Sequence, residues 1–338
     1  MQPAKISELP PIGVVYDSNL GQGIDSVLAL ALLHGFAGKQ QCRIASLTIN
    51  YPDLRAVQFC DAIEHFYSSA ANNDPFGPLR QLPLGVVEGK NRPVADLPIL
   101  AKPWQSGIAK WNDTAIPELV MRNALMANYD GNAAVVLSGP ATNLASLLKL
   151  FDSGPLIEAK VKLLAVAGGD FTADLPAARR VLAEWPTPIV FCSREVGAQL
   201  PFPGASIDSA FAYSPTQPIA AAYRAAGTMP YDAPASALAA MLYTIRPKDG
   251  YFTLSDPGTV SIGNDGRTAF QPSAQGRHRY LKVDPAKRES IAKVYVEMAS
   301  AKPVAPPPRR LPPQILAEEE AAAKARQQKK TPPAPDAK

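Results

Sequence analysis

Apolar runs alternate with longer, mixed segments along most of the chain. The runs Ile12–Tyr16, Arg43–Ile49, Leu84–Val87, Ala133–Ser138, Lys162–Ala167 and Pro188–Cys192 predict strands. Several are continuously apolar, which marks strands covered on both faces. Between them, Asp25–His34, Asp53–Ser69, Ile116–Asn128, Asn143–Phe151 and Leu175–Glu184 predict helices. This order predicts an α/β fold with a mainly parallel sheet, a Rossmann-like core, flanked by helices reached through right-handed crossovers. Pro218–Ala226 and Ala233–Tyr243 read as two more helices, Tyr251–Val260 as less regular chain, Arg277–Val283 as a late strand and Ser290–Met298 as a closing helix.

The pattern changes near Pro303. Pro306, Pro307 and Pro308, then Pro312 and Pro313, then Pro332 and Pro333 bracket an Ala/Glu/Lys stretch without an apolar face. Prolines favour extended, solvated chain, and no apolar heptad supports a coiled coil. The expected organisation is therefore one domain over residues 10–300 and a disordered Pro/Ala/Lys-rich tail over 303–338.

Composition narrows the classes. The chain has 338 residues, 46% hydrophobic and 19% charged, enough for a large α/β core. Its net charge is +4, and the one dense basic run, Lys324–Lys330, lies in the tail, so no nucleic-acid partner is expected. No apolar run reaches membrane-spanning length, and Met1–Lys5 lacks an apolar signal core, so the expectation is no membrane partner and a cytoplasmic protein, or a periplasmic or secreted one if a signal peptide was trimmed. Cys42, Cys60 and Cys192 form no Cys-x-x-Cys pair and lie in apolar contexts, so they read as core residues.

Candidate chemistry concentrates after the first strand. The stretch from Asp17 through Asn19, Gly21, Gly23 and Asp25 to Ser26 is a glycine turn carrying oxygen side chains, placed where open α/β sheets bind ligands. The spacing of Gly21 and Gly23 departs from the dinucleotide fingerprint, since Ser26 follows. Asp25 and Asp232 each stand near the start of a predicted helix and read equally well as caps. Asp17 reads first as a loop-stabilising carboxylate, and His34, His65 and His278 as structural, with no nucleophile motif nearby.

Several segments, in order, resemble the nucleoside hydrolases: the turn Asp17–Ser26, the helix from Asp61 to Tyr67, Ser138–Ala145 with Thr142 and Asn143, the run Trp185–Phe191, and Tyr231–Asp232 before an Ala-rich helix. The resemblance spans roughly Ile12 to Met298. It implies the nucleoside hydrolase fold and cleavage of a ribosyl N-glycosidic bond through an oxocarbenium-like state. It also implies a Ca²⁺ held by hard oxygen ligands.

Carried over residue by residue, the resemblance puts Asn19 where the family has its metal-binding general-base Asp, and Ser26 where it has a metal-binding Asp. Asp25 falls on a ribose-binding Asp, Thr142 on a carbonyl ligand and Asp232 on the late metal-binding Asp. Gly23 replaces a further acid, and Tyr231 stands where inosine-uridine types have a His. Asn50 is placed in the substrate cleft, which is expected above Asp17, Asn50, Thr142 and Asp232. After Gly168 the chain runs directly through Thr172 and Asp174 into the next helix, where relatives carry a Glu-Phe-Asn ribose clamp.

An amide cannot take a proton from water at neutral pH. One charged metal ligand, Asp232, should hold Ca²⁺ weakly or not at all. Three functions follow as expectations: a cleft binding a nucleoside-like or sugar-like small molecule with Ca²⁺-dependent ribonucleoside hydrolysis lost or much reduced, an active N-ribosyl hydrolase with altered substrate or metal use, using Asp25 or Asp232 as base, or an interaction protein acting through its Pro-rich tail. A homo-oligomer is left open by the resemblance.

Overall fold

The computed structural model describes residues 10–69, 82–87, 97–169 and 171–304. The proposed tail beyond residue 304, the N-terminal Met1–Lys5 and Asp170 lie outside the described residues.

Strands β1 (Ile12–Ser18), β2 (Cys42–Ile49), β3 (Leu84–Val86), β4 (Ala133–Ser138), β5 (Val161–Gly168), β6 (Ile189–Ser193) and β10 (His278–Val283) form the parallel part of one sheet, in the order β3-β2-β1-β4-β5-β6-β10. Beyond β10 the sheet turns antiparallel, with β8 (Gly258–Ile262) and β9 (Thr268–Pro272) as a hairpin and β7 (Phe252–Leu254) also paired to β10.

Alternate residues of the same strand enter opposite cores, which explains the continuous apolar runs. Val14, Tyr16, Leu47, Val136 and Val190 face a layer with α1 (Ile24–Gly38), α2 (Leu54–Ser69), α9 (Pro218–Ala226), α10 (Ser236–Ile245) and α11 (Arg288–Ala299). Val15, Val135, Leu137, Val166 and Phe191 face a layer with α3 (Pro117–Met126), α4 (Thr142–Leu147), α5 (Ser153–Lys160) and α6 (Leu175–Glu184). Two short helices, α7 (Arg194–Gln199) and α8 (Ile207–Ala210), follow β6.

The structure corrects three sequence expectations. Tyr251–Val260 is not irregular but contains β7 and the start of β8. The helix expected over Asn143–Phe151 stops at Leu147, and a separate helix, α5, begins at Ser153 after Asp152, whose φ is +57°. The helix expected from Ala233 starts at Ser236, because Ala233 pairs instead with Phe202 as an isolated bridge. Among the described residues, no helix is long and apolar enough to cross a membrane.

Candidate functional site

The strand order reverses direction between β1 and β4, so their connections leave to opposite sides and open a crevice at their C-terminal ends. A cavity of about 610 Å³ lies there. Asn19, Asp25 and Ser26 line it from the turn after β1, Ser138 and Gly139 from the end of β4, and Arg194 from the start of α7. Gly139 has φ +94°, and a Cβ on it would stand 2.6 Å from the Cβ of Asn19, so this position brings the β1 and β4 turns together.

Beneath the cavity lies a buried polar floor. Asp17 is fully enclosed, and its Oδ1 accepts from Thr48 Oγ1 at 2.7 Å and from Asn143 Nδ2 at 2.9 Å. Asn143 also donates to the Ile49 carbonyl, and Asn50 Nδ2 donates to the Ser138 carbonyl at 2.8 Å. Among the described residues Asn50 Oδ1 and Asn143 Oδ1 find no hydrogen-bond partner, while the Asn50 side chain adds to those of Thr48 and Asn143 in favouring the Asp17 carboxylate. Burial pushes the Asp17 carboxyl up to about 7. A proton on Asp17 would supply a donor to this acceptor-rich group. The expectation that Asp17 bonds loop backbone N–H groups is corrected: it lies within β1 and accepts from the side chains of Thr48 and Asn143.

Asp25 is not the cap of its own helix. Gly23 holds that position without a side-chain bond. The Asp25 carboxylate instead accepts from the N–H groups of Ala237 at 2.8 Å and Leu238 at 3.4 Å, capping α10 across the cleft. Burial raises its pKa to about 7, opposed by those backbone bonds. Asp232 likewise does not cap α10. It is exposed, and its Oδ1 accepts from the Gly204 N–H at 2.9 Å.

The remaining expected site residues are spread more widely. Ser26 Oγ donates to the Gly23 carbonyl, and Asn19 Nδ2 donates to Gln22 Oε1 at 3.4 Å. Asn50 lies in the floor rather than on the cavity wall, and Thr142 Oγ1 donates to Asp174 Oδ2 at 2.7 Å. Tyr231 stacks on Tyr223 at 4.5 Å and donates its hydroxyl to the Tyr223 carbonyl. The cavity walls thus unite Asn19, Asp25 and Ser26, while Asn50, Thr142, Tyr231 and Asp232 lie outside them. Sequence reasoning missed Arg194 and Thr172 on the walls; the end of the apolar β6 run was the signal available for Arg194.

His34 and His278 are engaged structurally, and His65 lies exposed on α2. His34 Nε2 lies 2.5 Å from Glu64 Oε1 and stacks on Tyr67, and His278 Nδ1 accepts from the Val260 N–H at 2.8 Å. All three cysteines are free and buried.

The donor set does not fit a Ca²⁺ ion. Asn19 and Ser26 bring no charge, both Asp25 oxygens face N–H donors, and Asp232 is bonded elsewhere. Among the described residues no three His, Cys, Asp or Glu side chains converge on a metal position.

No family profile matches this sequence. No curated protein matches it either. Solved structures do. A plant nucleoside hydrolase, PpNRh1, aligns with TM-score 0.64 at 18% identity, covering 86% of this chain and 100% of its own. An inosine-guanosine nucleoside hydrolase aligns with TM-score 0.62 at 14% identity, over 86% of this chain and 99% of its own. The inosine-uridine preferring nucleoside hydrolase of Bacillus anthracis aligns with TM-score 0.58 at 18% identity, over 86% and 99%. The chain has the α/β fold of the nucleoside hydrolases.

Proposed function

We propose that this chain is a nucleoside hydrolase-like protein. Its crevice binds a nucleoside-like or sugar-like small molecule, and its Ca²⁺-dependent ribonucleoside hydrolysis is lost or much reduced. The fold and the position of the cavity at the strand-order reversal support the ligand site. The observation that carries the loss is the state of the acids. Asn19 and Ser26 are neutral, and Asp25, the carboxylate on the cavity wall among the described residues, is bonded to the N-terminus of α10. A base that must accept a proton from water needs a free lone pair within reach of that water. Each Asp25 oxygen already accepts from an α10 N–H group, so taking a proton from water would compete with those bonds.

A second reading, an active N-ribosyl hydrolase with altered metal use, has one observation in its favour. Asp25 lies on the wall and its pKa of about 7 suits a general base near neutral pH.

A riboside panel separates the two. Inosine, guanosine and uridine are incubated with a high concentration of the full chain, with and without Ca²⁺, and base release is followed by chromatography. The first reading predicts saturable inosine binding by calorimetry with no base release above background. Release that is abolished by Asp25→Asn would establish the second.

A further inference from the structure

Between the end of β5 at Gly168 and the start of α6 at Leu175, the described residues are Gly169 and 171–174. Phe171 is buried in the core beside α6. Asp174 accepts from Thr142 Oγ1 at 2.7 Å and from the Ala177 N–H at 3.1 Å. The ends of β5 and β6, at Gly168 and Ser193, border open space. A second cavity, of about 670 Å³, lies there and shares Gly168, Thr172 and Arg194 with the first. Its far wall is the β8–β9 hairpin. The hairpin tip, Gly266, has φ +78°, and a Cβ there would come 2.4 Å from Thr172 Cγ2, so the tip rests directly on Thr172.

The lining of this second cavity is rich in hydroxyl and paired charged groups. Ser193, Thr268 and Tyr280 bring hydroxyls, and Glu195 brings a carboxylate. Among the described lining residues Arg194 and Arg267 are matched in charge by Glu195 and Asp265, so these groups carry no net charge that favours an anion. A hydrogen bond from Ser193 keeps the Glu195 carboxyl below its usual range, so it is ionised at neutral pH. An ionised carboxylate accepts from two neighbouring hydroxyls at once, and side-chain hydroxyls both donate and accept. That set suits a neutral, polyhydroxylated unit. Each cavity falls within the ordinary range for a small-molecule site, about 300 to 1,000 Å³. Together they exceed what one nucleoside requires.

We propose that the second cavity is a sugar-binding compartment, so that the ligand of the crevice carries a further polyhydroxylated unit extending toward the β8–β9 hairpin. The proposal rests on the ligand-cleft reading above.

The test uses the full chain and saturation-transfer NMR with D-ribose, D-glucose and D-galactose as probes, each alone and with saturating inosine. The expected result is that at least one sugar binds and that inosine does not displace it. Glu195→Gln and Thr268→Val, both at exposed positions, should each weaken that sugar about fivefold, the size of one lost hydrogen bond. Thermal melts of both variants check that the fold is retained. Absence of sugar binding, displacement by inosine, or unchanged sugar affinity in both variants would each overturn the compartment. Sugar binding without inosine binding would uphold the compartment and count against the nucleoside-like part of the cleft reading.

Discussion

At the scale of single residues, the site is governed by what the buried carboxylates touch. Asp17 and Asp25 are raised from an ordinary carboxyl value of 3.8 to about 7, in both cases mainly by burial. The folded state therefore holds these protons more tightly than the unfolded chain does. Each group contributes stability that is fully present below about pH 4 and is lost as pH rises toward 7. Asp17→Asn removes one of these titrations and keeps an oxygen that can accept from Thr48 and Asn143. Urea unfolding of the variant should show a stability difference between pH 5 and pH 8 smaller than in the parent by on the order of 2 kcal/mol, at about 1.4 kcal/mol per pKa unit. An unchanged difference would mean that Asp17 is ionised throughout. The presence of Asp17, Asn19, Asp25 and Ser26 at a strand end was legible in the sequence. The partners of Asp25 were not, because Ala237 and Leu238 lie more than two hundred residues away and only the folded crevice brings α10 to it.

At the scale of elements, strands covered on both faces announce themselves as apolar runs, and Ala133–Ser138 is found with the predicted bounds. Helices α6 and α9 also keep their predicted bounds, each opened by a proline in the first turn behind a side-chain cap, Asp174 or Gln217. The hairpin β8–β9 carried no such signal. Only alternate residues of β8 are buried and β9 has no buried residue, so neither reads as an apolar run. Thr172 and Ala173, between β5 and α6, line the crevice, and Asp174 follows them. Asp174 ties this segment to α4 and caps α6 at once, so Asp174→Ala should cost about 1 to 2 kcal/mol in urea unfolding, the range for a lost N-cap. A cost near zero would show that neither hydrogen bond of Asp174 contributes to stability.

At the scale of the whole molecule, a nucleoside hydrolase fold places a crevice where the strand order reverses, and among the described residues its wall carries apolar side chains, Arg194, amides, hydroxyls and the engaged carboxylate of Asp25. The fold was legible because several short motifs fall in the right order along an alternating α/β pattern. The chemistry was legible only in part, since a substituted acid shows which charge is gone but not where the remaining acids turn. The central claim is that the described residues bring no donor set for the divalent-cation chemistry implied by the resemblance. The most direct test is a metal count on the purified full chain after dialysis against Ca²⁺ and then against metal-free buffer, read by mass spectrometry. The account predicts far less than one Ca²⁺ per chain. A retained ion at one per chain would contradict it, because Asn19 and Ser26 would then complete a site that the carboxylates alone do not make.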